Sequence, residues 1–459
     1  MAAGASLIAQ LQAIVGREHV LAAPADLVSY SYDAAPGNVM PSCVVLPRTA
    51  EEVSRILVLA NDLNVPVIPR GSGTNLSGGT IPVEGALILA TSRFDRILEI
   101  NEGNLSATAE PGVLLGDFHA AVEARRLFYP PDPASARIAS LGGTVAEGAG
   151  GLRCVKYGTT KDYILGLEVV LPTGEVIQTG GVTVKNRSGY DLTHLMVGSE
   201  GTLGVVTRIT CRLVPLPAAH QTCMAAYDSI QRAAETVSAI IRRRIVPAAL
   251  EMMDHHSILA VEAFRPSGLP RDAEAVLLIE VDGAPAEVES DFKLVLEACR
   301  EGGATSVRVA QDEAEREVLW GARRAHYPAL SRAAPTVLVE DMTVPRESLP
   351  EMVARVREAA RRRGLELGLA AHAGDGNIHP DILTDQRDPE LMARSHALLE
   401  DFIRAAIDLK GTLTGEHGVG SLKAPYLPWL YGEAGVGALR AIKRALDPNN
   451  ILNPGKVLV

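Results

Sequence analysis

Three glycine-rich segments place the strongest constraint on the fold of this chain, and all three lie in its first 205 residues or so. The first reads GSGTNLSGGT (71–80), the second spans 129–158 with three prolines and six glycines, and the third reads VGSEGTLGVV (197–206). Glycine allows positive φ and close backbone approach, and a long irregular stretch inside a compact domain is usually functional or disordered. The second segment is neither highly charged nor poor in apolar residues, which disfavours disorder. We therefore expect these segments to wrap around an extended ligand.

The first glycine segment fails two familiar motif tests. Leu76 stands where the third glycine of G-x-G-x-x-G would be, and no G-K-[ST] follows, so it is neither a dinucleotide fingerprint nor a P-loop. Pro82 and a predicted strand at 86–91 follow it, so it does not open a helix. Its backbone N–H groups can converge on a phosphate as a nest. Taken alone, a tight connection without a ligand is an equally good interpretation.

The residues on either side of this segment predict a helix–strand–loop–strand unit. Thr49 and Glu52 have the spacing of a capping box, and apolar residues follow at helical spacing. Asn64 ends the predicted helix. VPVIPR (65–70) and GALILAT (85–91) read as strands.

The pattern changes near residues 215–220. Before this point strands dominate; beyond it, strands alternate with helices predicted at 229–243, 286–301, 348–363 and 389–409. This alternation indicates an α+β fold with an antiparallel or mixed sheet. The last thirty residues have too little apolar content to fold independently, so we expect them to pack on another domain.

Composition excludes several classes of protein. A formal net charge of −11 disfavours nucleic-acid binding. The five cysteines show no CxxC spacing, which argues against an iron–sulfur site, a zinc ribbon or a disulfide framework. No apolar run approaches the ~20 residues of a membrane-spanning helix, and residues 1–19 read as an amphipathic helix rather than a signal peptide. We expect a cytoplasmic protein, with peripheral contact at the inner membrane as an option.

AHAGDGNIHPD (371–381) holds two histidines seven positions apart. If Asp375-Gly376 forms a two-residue hairpin turn, His372 faces His379 on one side of the hairpin, close enough for one metal ion. Two exposed turn histidines are the other interpretation. In GTLTGEHGVG (411–420), Glu416 would complete a His-His-Glu set suited to Zn²⁺, Mn²⁺ or Fe²⁺, and the neighbouring His417 would serve as a base.

Several motifs, in one order along the chain, carry a resemblance to a known family. PRGSGTNLSGG, GGTVAEGAGGLR, YGTTKDYILGLEVVLPTGE and GSEGTLGVVTRI resemble the FAD-binding domain of the vanillyl-alcohol oxidase/PCMH flavoprotein family. HAGDGNIHP, GEHGVG and DPNNILNPGK resemble its glycolate oxidase and FAD-linked D-lactate dehydrogenase branch. The match runs from about residue 40 to the end. It implies a two-subdomain PCMH-type FAD-binding domain (1–217), an α+β substrate or cap domain (218–430) and a C-terminal segment (431–459) that returns to the FAD domain.

The resemblance also implies the FAD-contacting residues. The first glycine segment would hold the pyrophosphate, the second would cover the flavin side, and the third would contribute further contacts. No histidine stands in the first segment, so we expect non-covalent FAD. The implied residues are Arg70, Gly71, Ser72, Gly73, Thr74, Asn75, Ser77, Gly78, Pro131, Asp132, Ser135, Gly142, Gly143, Thr144, Ala146, Gly150, Gly151, Glu200, Gly204 and Val206.

The same resemblance assigns the chemistry. It places His372, His379 and Glu416 on the metal, with His417 as the proton acceptor and Asn377 in contact with the substrate. Arg323 matches the family's carboxylate-binding arginine; a solvated helix arginine is the other interpretation. Relatives that oxidise D-2-hydroxyglutarate carry a lysine near position 339, where this chain has Val339, so glycolate or D-lactate is the expected substrate.

Electrons must leave the reduced flavin. With no second dinucleotide fingerprint and no cysteine cluster, the expected acceptor is a quinone, a cytochrome, an electron-transfer flavoprotein or an iron–sulfur partner subunit, and a homodimer is one option. Three alternatives stay open. They are an FAD-dependent transferase without net redox, like the alkyl-glycerone-phosphate synthases, a non-haem iron protein that uses the same His-His-Glu set, and a flavin-bearing subunit that only scaffolds a complex.

Overall fold

The computed structural model describes residues 2–458, with side chains described from residue 7 onwards. Met1 and Val459 lie outside the described residues. The chain divides into two compact units. The first unit comprises Met1–Gly150, Thr159–Leu216 and Glu416–Val459, and the second comprises Gly151–Gly158 and Pro217–Gly415.

Helices occur in both units. In chain order they are α1 (Ala2–Val15), α2 (Pro24–Leu27), α3 (Ala50–Leu63), α4 (Leu115–Glu123), α5 (Leu141–Glu147), α6 (Cys154–Tyr157), α7 (Leu192–Met196), α8 (Ile230–Arg242), α9 (His255–Phe264), α10 (Pro285–Glu301), α11 (Glu313–Arg324), α12 (His326–Ala333), α13 (Leu349–Arg363), α14 (Pro389–Asp408) and α15 (Leu427–Leu446), the last interrupted at Gly432.

The strands form separate sheets in the two units. In chain order they are β1 (Val20–Leu21), β2 (Cys43–Val45), β3 (Val67–Arg70), β4 (Leu87–Ala90), β5 (Ile97–Asn101), β6 (Ser106–Ala109), β7 (Leu127–Phe128), β8 (Ile164–Val170), β9 (Val176–Gly180), β10 (Val205–Arg212), β11 (Val214–Pro215), β12 (Ala219–Tyr227), β13 (Ala249–Asp254), β14 (Ala275–Gly283), β15 (Ser306–Val309), β16 (Thr336–Leu338), β17 (Met342–Thr343), β18 (Leu367–His372) and β19 (Asn377–Thr384).

The first unit is built on two main sheets. A four-stranded sheet has the order β1-β2-β4-β3, with β2 and β3 both parallel to β4. A five-stranded antiparallel sheet has the order β5-β6-β10-β8-β9. The core packs α1 and α3 on the four-stranded sheet, because the apolar stripe of α3 (Val53, Ile56, Leu57 and Ala60) is fully buried.

The second unit is built on one eight-stranded antiparallel sheet. Its order is β15-β12-β14-β13-β18-β19-β16, and β17 also pairs with β19. One face packs against α8, α10, α13 and α14, and the opposite face packs against α9, α11 and α12. The predicted α+β class with an antiparallel sheet is therefore confirmed.

Local sequence signals account for many of these elements. Thr49 caps α3 by accepting the backbone N–H of Glu52 at 3.2 Å, and Asn64 ends it in the left-handed region (φ 51°). The reciprocal half of the predicted capping box differs, because the Glu52 carboxylate accepts from the backbone N–H of Arg48 at 2.6 Å. The four helices predicted beyond residue 217 are present as α8, α10, α13 and α14.

The second glycine-rich segment is more regular than the sequence predicts. Residues 141–147 form α5, whose N-cap Ser140 accepts the backbone N–H of Gly143 at 3.2 Å, and Cys154–Tyr157 form α6. The expectation of an uninterrupted irregular loop is wrong here. Close packing requires Gly142 within α5, because a Cβ atom there would lie 2.3 Å from Pro111. Among the described residues, no helix is both long enough and apolar enough to cross a membrane.

Candidate active site

Polar side chains gather on one face of the second unit's sheet. Side chains alternate between the two faces of a strand. On β13, Leu250 and Met252 point to the α8/α10/α13/α14 face, which places Glu251 on the α9/α11/α12 face. The same alternation places three residues of β18 and β19 on that face, namely His372, Asn377 and His379.

The hairpin between β18 and β19 has a different register from the predicted one. His372 pairs with Asn377 and Ala370 pairs with His379, so the predicted pairing of His372 with His379 is wrong by two residues. A four-residue loop, 373–376, replaces the two-residue turn. Tertiary contacts hold the wider loop open, since Gly374 N–H donates to Leu250 C=O at 3.0 Å and Val344 N–H donates to Gly376 C=O at 3.1 Å.

A shift of two residues leaves both histidines on the same face. The two rings are therefore neighbours, with centroids 5.1 Å apart and planes nearly perpendicular, as the sequence predicts. One nitrogen of each ring lies within 4.8 Å of a nitrogen of the other. Both side chains are buried.

The Nδ1 atom of each histidine faces an acceptor. His372 Nδ1 lies 2.8 Å from both carboxylate oxygens of Glu251, and His379 Nδ1 lies 3.1 Å from the carbonyl oxygen of Glu340. A carboxylate and a carbonyl can only accept, so both rings carry their proton on Nδ1. Nε2 is then the atom through which either ring would bind a metal.

Arg323 lies on the same buried face. It is the penultimate residue of α11, and its Nε donates to Glu251 Oε2 at 2.8 Å. Both side chains are buried, so Arg323 is not the solvated helix arginine of the alternative interpretation. Within the described residues its two terminal nitrogens make no hydrogen bond, and a carboxylate is the ligand that such a fork matches.

Asn377 is held by a polar cluster. Its amide nitrogen donates to Asp341 Oδ1 at 2.6 Å and to the carbonyl oxygen of Met342 at 3.1 Å. Asp341 Oδ2 in turn accepts the backbone N–H of Gly415 at 2.8 Å. Asp341 therefore ties the end of the 411–415 segment to the hairpin that carries Asn377 and His379.

A second histidine–carboxylate pair is buried beside this cluster. His326 Nε2 lies 2.8 Å from Asp381 Oδ2, and both groups are almost fully buried. Burial raises the pKa of the Asp381 carboxyl to about 7, and it lowers the pKa of His326 to about 3. The neutral imidazole is the form of His326 that these surroundings favour.

The first glycine segment, in the first unit, is organised by Asn75. Asn75 Oδ1 accepts the backbone N–H groups of Ser77 at 2.9 Å and Gly79 at 2.7 Å, and its amide nitrogen donates to Glu147 Oε2 at 2.5 Å. A Cβ atom at Gly71 would lie 2.1 Å from Ser140 Oγ, the cap of α5. The first two glycine segments are therefore in direct contact.

The third glycine segment holds the loop that contains Glu416 and His417, also within the first unit. Glu200 accepts the backbone N–H groups of Val419 at 2.7 Å and Gly420 at 2.8 Å. Ser77 Oγ donates to the carbonyl oxygen of His417 at 2.9 Å. His417 Nε2 lies 3.7 Å from Glu416 Oε1.

Comparisons with known proteins show to which family this chain belongs. The chain matches the model of an FAD binding domain over residues 41–180 and that of the C-terminal domain of FAD linked oxidases over residues 216–457. It is 48% identical to the glycolate oxidase subunit GlcD of Bacillus subtilis (strain 168), a match that covers 98% of this chain and 96% of that protein. This chain belongs to the family of FAD-linked oxidases. It falls in the GlcD branch of the PCMH/vanillyl-alcohol oxidase superfamily, as the sequence motifs predict.

Other relatives agree with this assignment. The D-lactate dehydrogenase of Anaerostipes hadrus is 33% identical, over 92% of this chain and 90% of that protein. A crystal structure of p-cresol methylhydroxylase superposes with a TM-score of 0.82 at 20% identity, covering 99% of this chain and 96% of that one. At that identity it supports the fold alone. The protein is an FAD-linked oxidoreductase.

The residues present fit the flavin that membership of this family implies. Gly73 and Gly78 have φ values of 70° and 77°, which only glycine adopts readily, and Asn75 Oδ1 accepts two backbone N–H groups of the loop. All the predicted FAD-contacting residues belong to the first unit except Gly151, which belongs to the second. Their individual contacts with FAD remain predictions.

The histidine pair fits a divalent metal. His372 and His379 lie side by side in a buried position with the proton of each ring held on Nδ1, which is the usual arrangement of zinc-type histidine ligands. The second unit contains His372, His379, Asn377 and Arg323, and the first contains Glu416 and His417.

Sequence reasoning missed four residues of this region: Glu251, His326, Asp341 and Asp381. Glu251 and Asp381 lie within strands and His326 begins α12, and each of the four meets its partner only through the fold. Two signals were available: Asp381 follows His379 at the two-residue strand period, and Glu251 stands between apolar residues of β13.

Proposed function

We propose that this protein oxidises a short D-2-hydroxy acid, glycolate or D-lactate, to the 2-oxo acid with FAD as the oxidant. The buried His372/His379 pair carries this proposal, because it shares a sheet face with a buried arginine in an FAD-linked oxidoreductase. The names of the relatives support the same substrate class. Val339 stands where relatives that bind a longer diacid have a lysine, which favours a short acid.

FAD and a divalent metal would divide the chemistry between them. Bound FAD would supply a hydride acceptor, and a divalent metal held by His372 and His379 would lower the pKa of the substrate hydroxyl. Arg323 binds the substrate carboxylate through its two terminal nitrogens. Asn377, held by Asp341, contacts the substrate.

Glu416 is proposed as the third metal ligand. It follows Gly415 directly, so their Cα atoms are about 3.8 Å apart. Gly415 N–H bonds to Asp341 Oδ2, and Asp341 Oδ1 lies 3.9 Å from His379 Nδ1. Because Glu416 is bonded to Gly415, its backbone lies near Asp341 and His379. This supports a His-His-Glu set with open positions for a hydroxy acid. Zn²⁺, Mn²⁺ and Fe²⁺ all suit such donors.

His417 is proposed as the base that takes the hydroxyl proton. An imidazole accepts a proton near neutral pH. Its backbone carbonyl is fixed by Ser77, and the residues that follow it are fixed by Glu200, so the loop is held in place. His417 would receive the hydroxyl proton and the flavin the Cα hydride, which leaves the 2-oxo acid as product.

The electrons then pass to an acceptor other than NAD. A quinone, a cytochrome, an electron-transfer flavoprotein or an iron–sulfur partner subunit would serve, since the sequence contains no dinucleotide fingerprint for NAD. We place the protein in the cytoplasm, at the inner membrane surface if the acceptor is there.

An anaerobic flavin-reduction screen tests the function. Purified holoprotein is mixed with short D- and L-2-hydroxy acids, with and without prior treatment with a chelator, and the flavin absorbance is followed. We expect D-lactate or glycolate to bleach the flavin, L-lactate to fail, and chelator to slow the reduction. Bleaching without sensitivity to chelator would remove the metal from the mechanism.

Two other outcomes would identify the alternatives. A flavin that no hydroxy acid reduces would contradict the oxidation and favour a transferase without net redox. A colourless protein with bound iron would favour the non-haem iron alternative.

A further inference from the structure

One face of α11 forms two buried ion pairs with the sheet. Arg316, Trp320 and Arg323 are spaced by four and three residues, so they share a face of the helix. Arg316 and Trp320 bind Glu280 on β14 at 2.7 and 2.8 Å, and Arg323 binds Glu251 on β13 at 2.8 Å. The two acids have the same kind of burial and the same kind of partner.

Only one of the two acids also binds a histidine. Glu280 also accepts a hydrogen bond from the hydroxyl of Thr222 at 2.7 Å. Glu251 instead holds His372, with both carboxylate oxygens 2.8 Å from Nδ1. Glu251 is fully buried, and Arg323 supplies the opposite charge that makes a buried carboxylate tolerable.

We infer that Glu251 is a positioning residue that makes His372 a metal ligand. An acceptor-only group against Nδ1 fixes the proton there and turns the lone pair of Nε2 outward for the metal. It also fixes the plane of the ring. This inference rests on the proposed metal-assisted function and adds the residue on which the first histidine ligand depends.

The variant Glu251→Gln tests this with almost no change in volume. Arg323 Nε donates to Oε2, which holds the amide oxygen of the new glutamine there and places its N–H donor at the position of Oε1, 2.8 Å from Nδ1. The Nδ1 proton then faces a donor, which disfavours the tautomer that leaves Nε2 free to bind the metal. Glu280→Gln is the matched control, since it alters an equally buried acid of the same helix–sheet contact.

The main measurement is the affinity of metal-depleted holoprotein for Zn²⁺ and for Mn²⁺ by equilibrium dialysis. We expect Glu251→Gln to weaken binding about 10- to 100-fold and Glu280→Gln to leave it unchanged. A second readout is the rate of flavin reduction by D-lactate against metal concentration. Excess metal should restore the rate of Glu251→Gln, which damage to the fold would not allow.

The outcomes separate this inference from the proposed function. Wild-type protein that binds metal, with Glu251→Gln binding it equally well, would overturn the role of Glu251 alone. Equal losses in Glu251→Gln and Glu280→Gln would reduce that role to general packing and overturn it too. Wild-type protein that binds neither ion would overturn the metal-assisted function together with this inference.

A second variant keeps the inference testable if Glu251→Gln does not fold. If Glu251→Gln does not retain flavin, Glu251→Asp keeps the charge and shortens the reach by one methylene. We expect it to weaken metal binding as well, because the shorter acid cannot reach both Arg323 and His372. Unchanged affinity in Glu251→Asp would contradict the inference.

Discussion

Burial and hydrogen bonding compete at the carboxyl group of Glu200. The side chain lies inside the first unit, where desolvation raises its pKa to about 7. The N–H groups of Val419 and Gly420 and the charges of Lys423 and Lys456 act in the opposite direction but do not cancel the effect of burial. Glu200 therefore takes up a proton on folding between pH 4.5, its ordinary pKa, and about pH 7.

The sign of the resulting pH dependence follows from linkage. The folded state binds more protons than the unfolded state in this window, so the contribution of Glu200 to stability is full below about pH 4.5 and falls as the pH rises through about 7. The variant Glu200→Gln cannot titrate. We expect the melting temperature of the wild type relative to Glu200→Gln to decrease between these pH values, as measured by thermal unfolding at several pH values. A difference that stays constant with pH would contradict the raised pKa.

At the scale of elements, the β18–β19 hairpin decides where the two histidines lie. Its four-residue loop needs Gly376, whose φ is 86°, and a Cβ atom there would lie 2.2 Å from the carbonyl oxygen of Val344. Gly85 has a nearly equal φ of 80° but no atom within 4 Å of a Cβ position. A residue with a side chain would strain the backbone at both positions, but only at Gly376 would it also lack space.

Replacing each of these two glycines by alanine gives a prediction with an internal control. Gly85→Ala should reduce the free energy of unfolding by about 1–2 kcal/mol, the cost of a left-handed non-glycine residue. Gly376→Ala should reduce it by more, because the backbone of residues 344–346 must also move, and it should weaken metal binding as the histidines shift. Urea unfolding of both variants, with zinc dialysis of each, makes the comparison. Equal losses of stability would mean that the loop accommodates the methyl group without strain.

At the scale of the whole molecule, each unit has its own buried core. The first unit packs α1 and α3 on a mixed sheet, and the second packs helices on both faces of an antiparallel sheet. The glycine segments that fit FAD are almost entirely in the first unit. Cofactor binding is therefore expected to stabilise the folded chain by mass action.

Removal and return of FAD tests this expectation. Apoprotein should unfold at a lower temperature than holoprotein, and free FAD at 100 times its Kd should restore about 2.7 kcal/mol of stability. NAD at the same concentration is the control and should have no effect, because the chain lacks a dinucleotide fingerprint. Differential scanning calorimetry gives the comparison, and identical curves with and without FAD would contradict the assignment of the glycine segments.

Short-range patterns in the sequence determined much of this protein. Local periodicity and turn chemistry predict the capped helix α3 and the helices beyond residue 217. They also predict the change of pattern near 215–220. The common face of His372 and His379 also follows, because every register with an even-numbered loop puts them on the same side. The order of the motifs along the chain was enough to recognise the family, and membership of that family implies FAD-linked chemistry.

The tertiary structure alone decided the rest. The hairpin register depends on contacts of its loop with Leu250 and Val344, which lie far away in sequence. Gly142 inside α5 is explained only by the close approach of Pro111. Glu251 sits among apolar residues and gains meaning only when β13 brings it beside His372, 121 positions along the chain. Local sequence specifies backbone conformation, whereas the partners of a buried charge are set by which strands and helices pack together.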